Sequence, residues 1–179
     1  MTRRAVSSVL GQTITPSGLI VEIDTARTGA ATTRNKGLQK VTSEWVAFLD
    51  SDDQLKPKHL ETLLHGAQAT GADYVFSWYE PVGFGSDPLP HFGKEFDPEN
   101  PHQTTITTLV RTELAQQVGF KEPPPGKLIH GQRYGEDFLF TVECVAAGAK
   151  VVHIPERTWI WNYHGYNTSG LPTRGDARV

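Results

Sequence analysis

Trp45-Val46-Ala47-Phe48-Leu49-Asp50-Ser51-Asp52-Asp53 is the stretch that decides how this sequence is read. Five apolar residues in a row predict a strand buried on both faces, as in a parallel sheet. Three carboxylates follow directly. Like charges so crowded are costly to keep ionised unless a cation or water offsets their repulsion. Oxygen-only ligands select Mg²⁺, Mn²⁺ or Ca²⁺ over zinc, and open α/β sheets bind ligands at the carboxyl ends of their strands. A plainer reading is also open here: Asp53 caps the next helix, and Asp50 and Asp52 are solvated in the turn.

Working outward, the spacing of Ala5, Val6, Val9 and Leu10 predicts an opening helix, broken by Thr15-Pro16-Ser17-Gly18. Leu19-Ile20-Val21-Glu22-Ile23-Asp24 predicts a strand that ends in a carboxylate, and residues 29–41 predict a helix. Downstream, Pro57 suits the first turn of a helix whose Leu60, Leu63, Leu64 and Ala67 share one face. With a further strand over residues 72–79, helix and strand alternate as an α/β domain requires.

Residues 80–101 have no period and predict a long surface excursion. Residues 104–110 are β-prone, and 111–118 predict a short helix. The Pro123-Pro124-Pro125 run predicts an extended lip. Gly135-Glu136-Asp137 opens an apolar helix over 138–147, followed by strands over 150–154 and 158–163 and a polar, frayed tail from Thr168.

The 179 residues suit one domain. A formal charge of -3, with no Lys/Arg run, offers no field for a nucleic-acid backbone. Cys144 is the lone cysteine, so no intrachain disulfide forms and a cytoplasmic setting is expected; its helical spacing from Phe140 places it in the core. Ala5 to Leu10 is too short for a signal core, and no stretch reaches the length of a membrane span. No Ser/His/Asp triad or GxxxxGK loop is evident. Acidic residues such as Glu136 and Asp137 offset a helix dipole wherever they open a helix, so that pair alone does not define a site.

Order adds what the pair lacks. Thr32-Thr33-Arg34-Asn35-Lys36-Gly37-Leu38, then Phe48-Leu49-Asp50-Ser51-Asp52-Asp53, then Gly135-Glu136-Asp137-Phe138 together resemble the hallmarks of the inverting family 2 glycosyltransferases. The resemblance spans nearly the whole chain. It implies a single α/β domain over residues 1–179, with a three-layer α/β/α Rossmann-like GT-A fold and a mostly parallel mixed sheet. It implies a nucleoside diphosphate sugar donor, UDP-linked, a hydroxyl acceptor on a glycan, lipid or protein, and Mn²⁺ or Mg²⁺ as cofactor.

By position, the resemblance makes Asp50 and Asp52 the DxD pair. Asp52 is then the direct metal ligand, Asp50 lies nearer the ribose or sugar, and Asp53 stands behind them. Asp137 matches the base, Glu136 its positioning neighbour, and Arg34 the basic residue near base or diphosphate. Asp24 falls where the family places a uracil contact, although Asp24-Thr25-Ala26-Arg27-Thr28-Gly29 replaces the usual Asp-Asp-Gly-Ser turn. His164, after the last strand, matches a third metal ligand or lid contact in some GT-A enzymes; the alternative is an ordinary half-exposed histidine. Trp159, Trp161 and Tyr163 either stack on a sugar or pack into the core.

Family members open with a strand and a Pro-Thr-like turn that wall the nucleotide pocket, whereas this sequence opens on the helix that follows. The resemblance thus predicts a bare sheet edge, open to an upstream segment or to self-association. Two other functions stay in view: a catalytically silent relative that binds a sugar nucleotide or partner, and a metal-dependent phosphohydrolase using the same Asp cluster.

Overall fold

A computed structural model of the chain describes residues 2–83, 87, 89–124, 126 and 134–164. Pro125, in the predicted lip, and the tail from Thr168 lie outside the described residues. Five helices and five strands are described: α1 (Thr2–Leu10), α2 (Ala30–Leu38), β1 (Trp45–Ala47), β2 (Gln54–Leu55), α3 (His59–Thr70), β3 (Tyr74–Val82), β4 (Thr108–Arg111), α4 (Thr112–Val118), α5 (Glu136–Ala146) and β5 (Val151–Asn162).

The strands form one sheet in the order β1-β4-β3-β5-β2. Helices cover both faces, as the α/β reading expects. Side chains alternate across a strand, so Tyr74, Phe76 and Val110 face one way and Val75 and Leu109 the other. Leu63 and Ala67 of α3 pack on Val75, Leu109, Val152 and Ile154, while α2, α4 and α5 cover the opposite face through Leu38, Ala115, Phe140 and Cys144. Gly66 allows the close approach of α3, because a Cβ there would lie 2.6 Å from Ile154 Cδ1.

The sheet is mixed and mostly antiparallel, which corrects the mostly parallel expectation. Only β3 and β5 run parallel; β1 with β4, β3 with β4 and β2 with β5 are antiparallel. The physical reason is that apolar runs reveal burial but not the direction of a neighbour. β1 is accordingly an edge strand with Trp45 half-buried, Val46 buried and Ala47 exposed, not a strand buried on both faces.

The predicted strand over Leu19–Asp24 pairs with no other strand among the described residues. Composition favours a strand here, but a ladder also needs a neighbour, and Leu19, Ile20, Val21 and Ile23 are exposed. Glu22 is ion-paired with Lys40 beyond α2. The strands predicted over 150–154 and 158–163 are one strand, β5, whose register with β3 is irregular between Phe76 and Tyr79. No described helix is long and apolar enough to cross a membrane.

Candidate active site

The acidic stretch leaves β1 at Phe48, whose amide still donates to the Thr108 carbonyl at 3.2 Å, and then turns, with Asp53 N donating to the Asp50 carbonyl. The turn draws the carboxylates together: one oxygen each from Asp50, Asp52 and Asp53 lies within 4.8 Å of the others. Asp53 is buried and accepts from the Asn162 amide at 3.0 Å, while Asn162 Nδ2 donates to the Asp52 carbonyl at 2.7 Å. The end of β5 therefore holds the acidic turn. Burial pushes the Asp53 carboxyl up to about 8, with Asp52 and Asp50 adding repulsion against the relief from the Asn162 amide. Positive charge brought to the turn would favour its ionised form. This all-oxygen set fits a hard divalent ion.

Arg34 on α2 joins that turn to α5. Its Nη2 donates to Asp50 Oδ1 at 2.8 Å, and its Nη1 donates to Glu136 Oε1. Burial works against the guanidinium charge, but Asp50 and Glu136 outweigh it and hold its pKa above the ordinary value. The Phe120 ring lies 5.5 Å from the Arg34 guanidinium carbon. Asn35 fixes that ring: its Nδ2 donates to the Phe120 carbonyl and its Oδ1 accepts from the Phe120 amide, each at 2.8 Å. Phe120 in turn stacks on Phe140 of α5 at 4.2 Å and meets Phe48 edge-on at 5.0 Å. One aromatic cluster thus fastens the segments that carry Arg34, Asp50 and Glu136.

Asp137, in the first turn of α5, accepts from the Phe138 amide at 2.8 Å. A Cβ at position 135 would lie 2.6 Å from Asp137 Oδ1, so Gly135 leaves the carboxylate its room. Burial raises the Asp137 carboxyl to about 6, and the neighbouring Glu136 adds to the rise while the Phe138 amide and Arg34 oppose it. A carboxylate in this range is ionised at neutral pH yet basic enough to take a proton.

His164 Nε2 lies 3.1 Å from Asp52 Oδ2, beside the acidic turn. Asp24 stands differently: its oxygens accept from Thr28 N, Thr28 Oγ1 and Gly29 N, so its described hydrogen bonds stay within its own turn and preset the start of α2. Trp159 and Trp161 are buried against Tyr79, at 5.4 and 5.3 Å, and belong to the core; Tyr163 is exposed. Asn162 and Asn35 escaped the sequence reading. The only hint for Asn162 was a lone amide ending an aromatic strand, and Asn35 lay inside the quoted Arg34-Asn35 phrase without a role.

Fold and site together make an α/β domain in which Arg34 joins a carboxylate cluster that follows a strand to the acidic start of a helix. The family model for glycosyl transferase family 2 matches residues 3–121, and the chain belongs to that family. It is 23% identical over 160 residues to the succinoglycan biosynthesis protein ExoO of Rhizobium meliloti (strain 1021), covering 82% of this chain and 45% of ExoO. TuaG of Bacillus subtilis (strain 168), named for teichuronic acid biosynthesis, is 38% identical over 64 residues, 36% of this chain and 25% of TuaG. Among solved structures, S. aureus TarS 1–349 in complex with UDP matches with a TM-score of 0.69 at 16% identity, covering 90% of this chain and 56% of that one. Its complex with UDP-GlcNAc matches with a TM-score of 0.64 at 19% identity, over 82% and 42%. The chain spans about half the length of ExoO and of TarS 1–349, and its 64 matched residues cover a quarter of TuaG.

Proposed function

We propose that this domain transfers a hexose-type unit from a UDP-sugar to an acceptor hydroxyl, with inversion and with Mn²⁺ or Mg²⁺. The observation that carries the reading is the Arg34 bridge, which sets the Asp50–Asp53 cluster and the Asp137 helix at one site. When bound at Asp50, Asp52 and Asp53, with His164 beside Asp52, a divalent ion supplies charge that offsets the diphosphate. Asp137 takes the proton of the acceptor hydroxyl as that oxygen attacks the anomeric carbon, while the bond from that carbon to the diphosphate oxygen breaks and UDP leaves with its electron pair. Glu136, held by Arg34, positions the acceptor and the base. Arg34 keeps positive charge between the carboxylates, and Asp24, with its turn already formed, lies on the uracil side.

Family membership and fold support sugar transfer over the phosphohydrolase alternative. UDP-GlcNAc, bound by TarS, is the first donor to try. The experiment is UDP release from a panel of UDP-sugars with Mn²⁺, with and without acceptor sugars. Acceptor-stimulated release supports transfer; release unaffected by acceptor points to hydrolysis.

A second reading has its own observation. Among the described residues the Leu19–Asp24 segment pairs with no strand and its apolar side chains are exposed, which favours a silent relative that binds nucleotide or a partner. UDP binding with metal but no turnover of any donor is its signature.

A further inference from the structure

Three buried hydroxyls meet in the core next to the first turn of α5. They belong to Tyr74 at the start of β3, Thr104 on the chain leading into β4, and Thr141 of α5. Thr141 Oγ1 lies 2.9 Å from Tyr74 Oη and 2.7 Å from Thr104 Oγ1, and it donates to the Asp137 carbonyl at 3.3 Å. Proton counting fixes the direction of every bond. A hydroxyl has one proton and two lone pairs, and a carbonyl only accepts. Thr141 gives its single proton to Asp137, so Tyr74 and Thr104 each donate to Thr141 and fill its lone pairs. Burial holds the Tyr74 phenol above its ordinary pKa, so this donor keeps its proton.

A threonine that bonds back to the carbonyl one turn earlier is an ordinary helix feature. Two buried donors from other parts of the chain, holding that threonine oxygen in place, are not. The turn they reach is the one that carries the base. Glu136 is held by Arg34, and the Asp137 carboxylate accepts only from the Phe138 amide among the described hydrogen bonds. Through Thr141 the Asp137 backbone is joined to β3 and to the chain entering β4. Reacting groups tolerate little displacement, and a misplacement of about 1 Å can cost about 10²-fold in rate.

We infer that Thr141 is a positioning residue for the acceptor base: its hydroxyl, oriented by Tyr74 and Thr104, fixes the backbone of Asp137 and with it the place from which that carboxylate meets the acceptor. The inference rests on the base role proposed for Asp137. Thr141 acts through the backbone and touches neither the Asp137 carboxylate nor the Asp50–Asp53 cluster in any described hydrogen bond, so its loss should slow turnover without weakening donor binding.

The test compares Thr141→Val, which keeps the shape and removes the hydroxyl, with Thr141→Ser, which keeps the hydroxyl, and with Tyr74→Phe, which removes one donor and leaves the bond to Asp137. Two readouts are taken on the full chain: acceptor-stimulated UDP release with Mn²⁺, and hydrogen exchange without substrate at the Leu139 amide, which donates to the Gly135 carbonyl at 3.1 Å. In Thr141→Val, kcat should fall about ten- to a hundredfold with the KM for donor unchanged, and Leu139 should exchange faster. Thr141→Ser should stay close to the parent, and Tyr74→Phe should lose less than Thr141→Val. The double variant Thr141→Val/Tyr74→Phe leaves fewer buried donors unsatisfied and should repeat the Thr141→Val loss, so it decides the matter if the single variant fails to fold. Parent-like kcat or exchange without the Thr141 hydroxyl, an equal loss in Tyr74→Phe, or no rescue by serine would overturn the inference. Asp137→Asn, run beside them, keeps the two claims apart. If it transfers at the parent rate, the base reading falls and this one with it; if it is inactive while Thr141→Val matches the parent, the positioning role alone is wrong.

Discussion

Arg34 Nη2 donates to Asp50 Oδ1 across 2.8 Å, and the same guanidinium holds Glu136 on a different helix. A planar fork with donors on separate nitrogens holds two carboxylates in a fixed geometry that a compact, flexible ammonium does not reproduce. Arg34→Lys is therefore expected to keep the fold and lose most of the turnover. Arg34→Ala should also lower stability by about 1–3 kcal/mol, the ordinary cost of losing hydrogen bonds to charged groups, with Asp50 at the low end because it is partly exposed. Urea unfolding beside a UDP-release assay checks both; an Arg34→Lys enzyme as fast as the parent would remove the bridge from the account.

Removal of the divalent ion gives a second expected outcome. UDP affinity should drop sharply with chelator and return with Mn²⁺, and Asp52→Ala should show the low value in both conditions. Calorimetric titration of UDP measures this. Equal affinity with and without chelator would take the metal out of the reading.

Acid stability follows from His59, which is fully buried with its Nδ1 2.7 Å from Thr158 Oγ1. Burial lowers its pKa to about 3, below the ordinary 6.5 expected of the unfolded chain. Between those values the unfolded state binds the proton and the native state does not, so stability falls as pH drops below 6.5. At pH 4.5 the loss from this residue should approach about 2–3 kcal/mol, at about 1.4 kcal/mol per unit. Denaturant melts of the parent and His59→Gln at pH 7 and 4.5 should show a smaller acid loss in the variant. Equal losses would assign the acid sensitivity elsewhere.

The edge of β1 and the exposed Leu19–Ile23 segment predict self-association. Sedimentation at several concentrations should show a rising mean mass, reduced by Ile23→Asp. A concentration-independent monomer would show that the edge recruits no second copy.

How much could be read in advance depends on the range of each interaction. The carboxylates after Leu49 and the acidic start of α5 were legible because a strand end and a helix N-terminus are local features that place their own side chains. Strand direction was not, since Trp45–Ala47 has the apolarity of an inner strand and only its pairing with Leu109–Arg111 makes it an antiparallel edge. Leu19–Asp24 has the composition of a strand, but composition does not supply a neighbour. Asn162 gained its role from Asp52 and Asp53, more than a hundred residues away, and nothing near it in sequence marks that contact.

The Asp137 carboxyl, raised to about 6 by burial and by Glu136, sets the expected pH profile. A base acts in its deprotonated form, so transfer should rise with pH through about 6 and level off above it. Initial rates across pH 5 to 8 test this, and a profile flat down to pH 5 would reassign the base.

The central claim, that Asp137 removes the acceptor proton at a site built around Asp50–Asp53, is tested most directly by acceptor-stimulated UDP release in Asp137→Asn. The amide keeps the size and most hydrogen bonds of the carboxylate but takes no proton. Release should fall about 10²- to 10⁴-fold, the usual contribution of a general base, with UDP affinity in Mn²⁺ nearly unchanged. Glu136→Gln, which alters only positioning, should lose less. Transfer by Asp137→Asn at close to the parent rate would contradict the account.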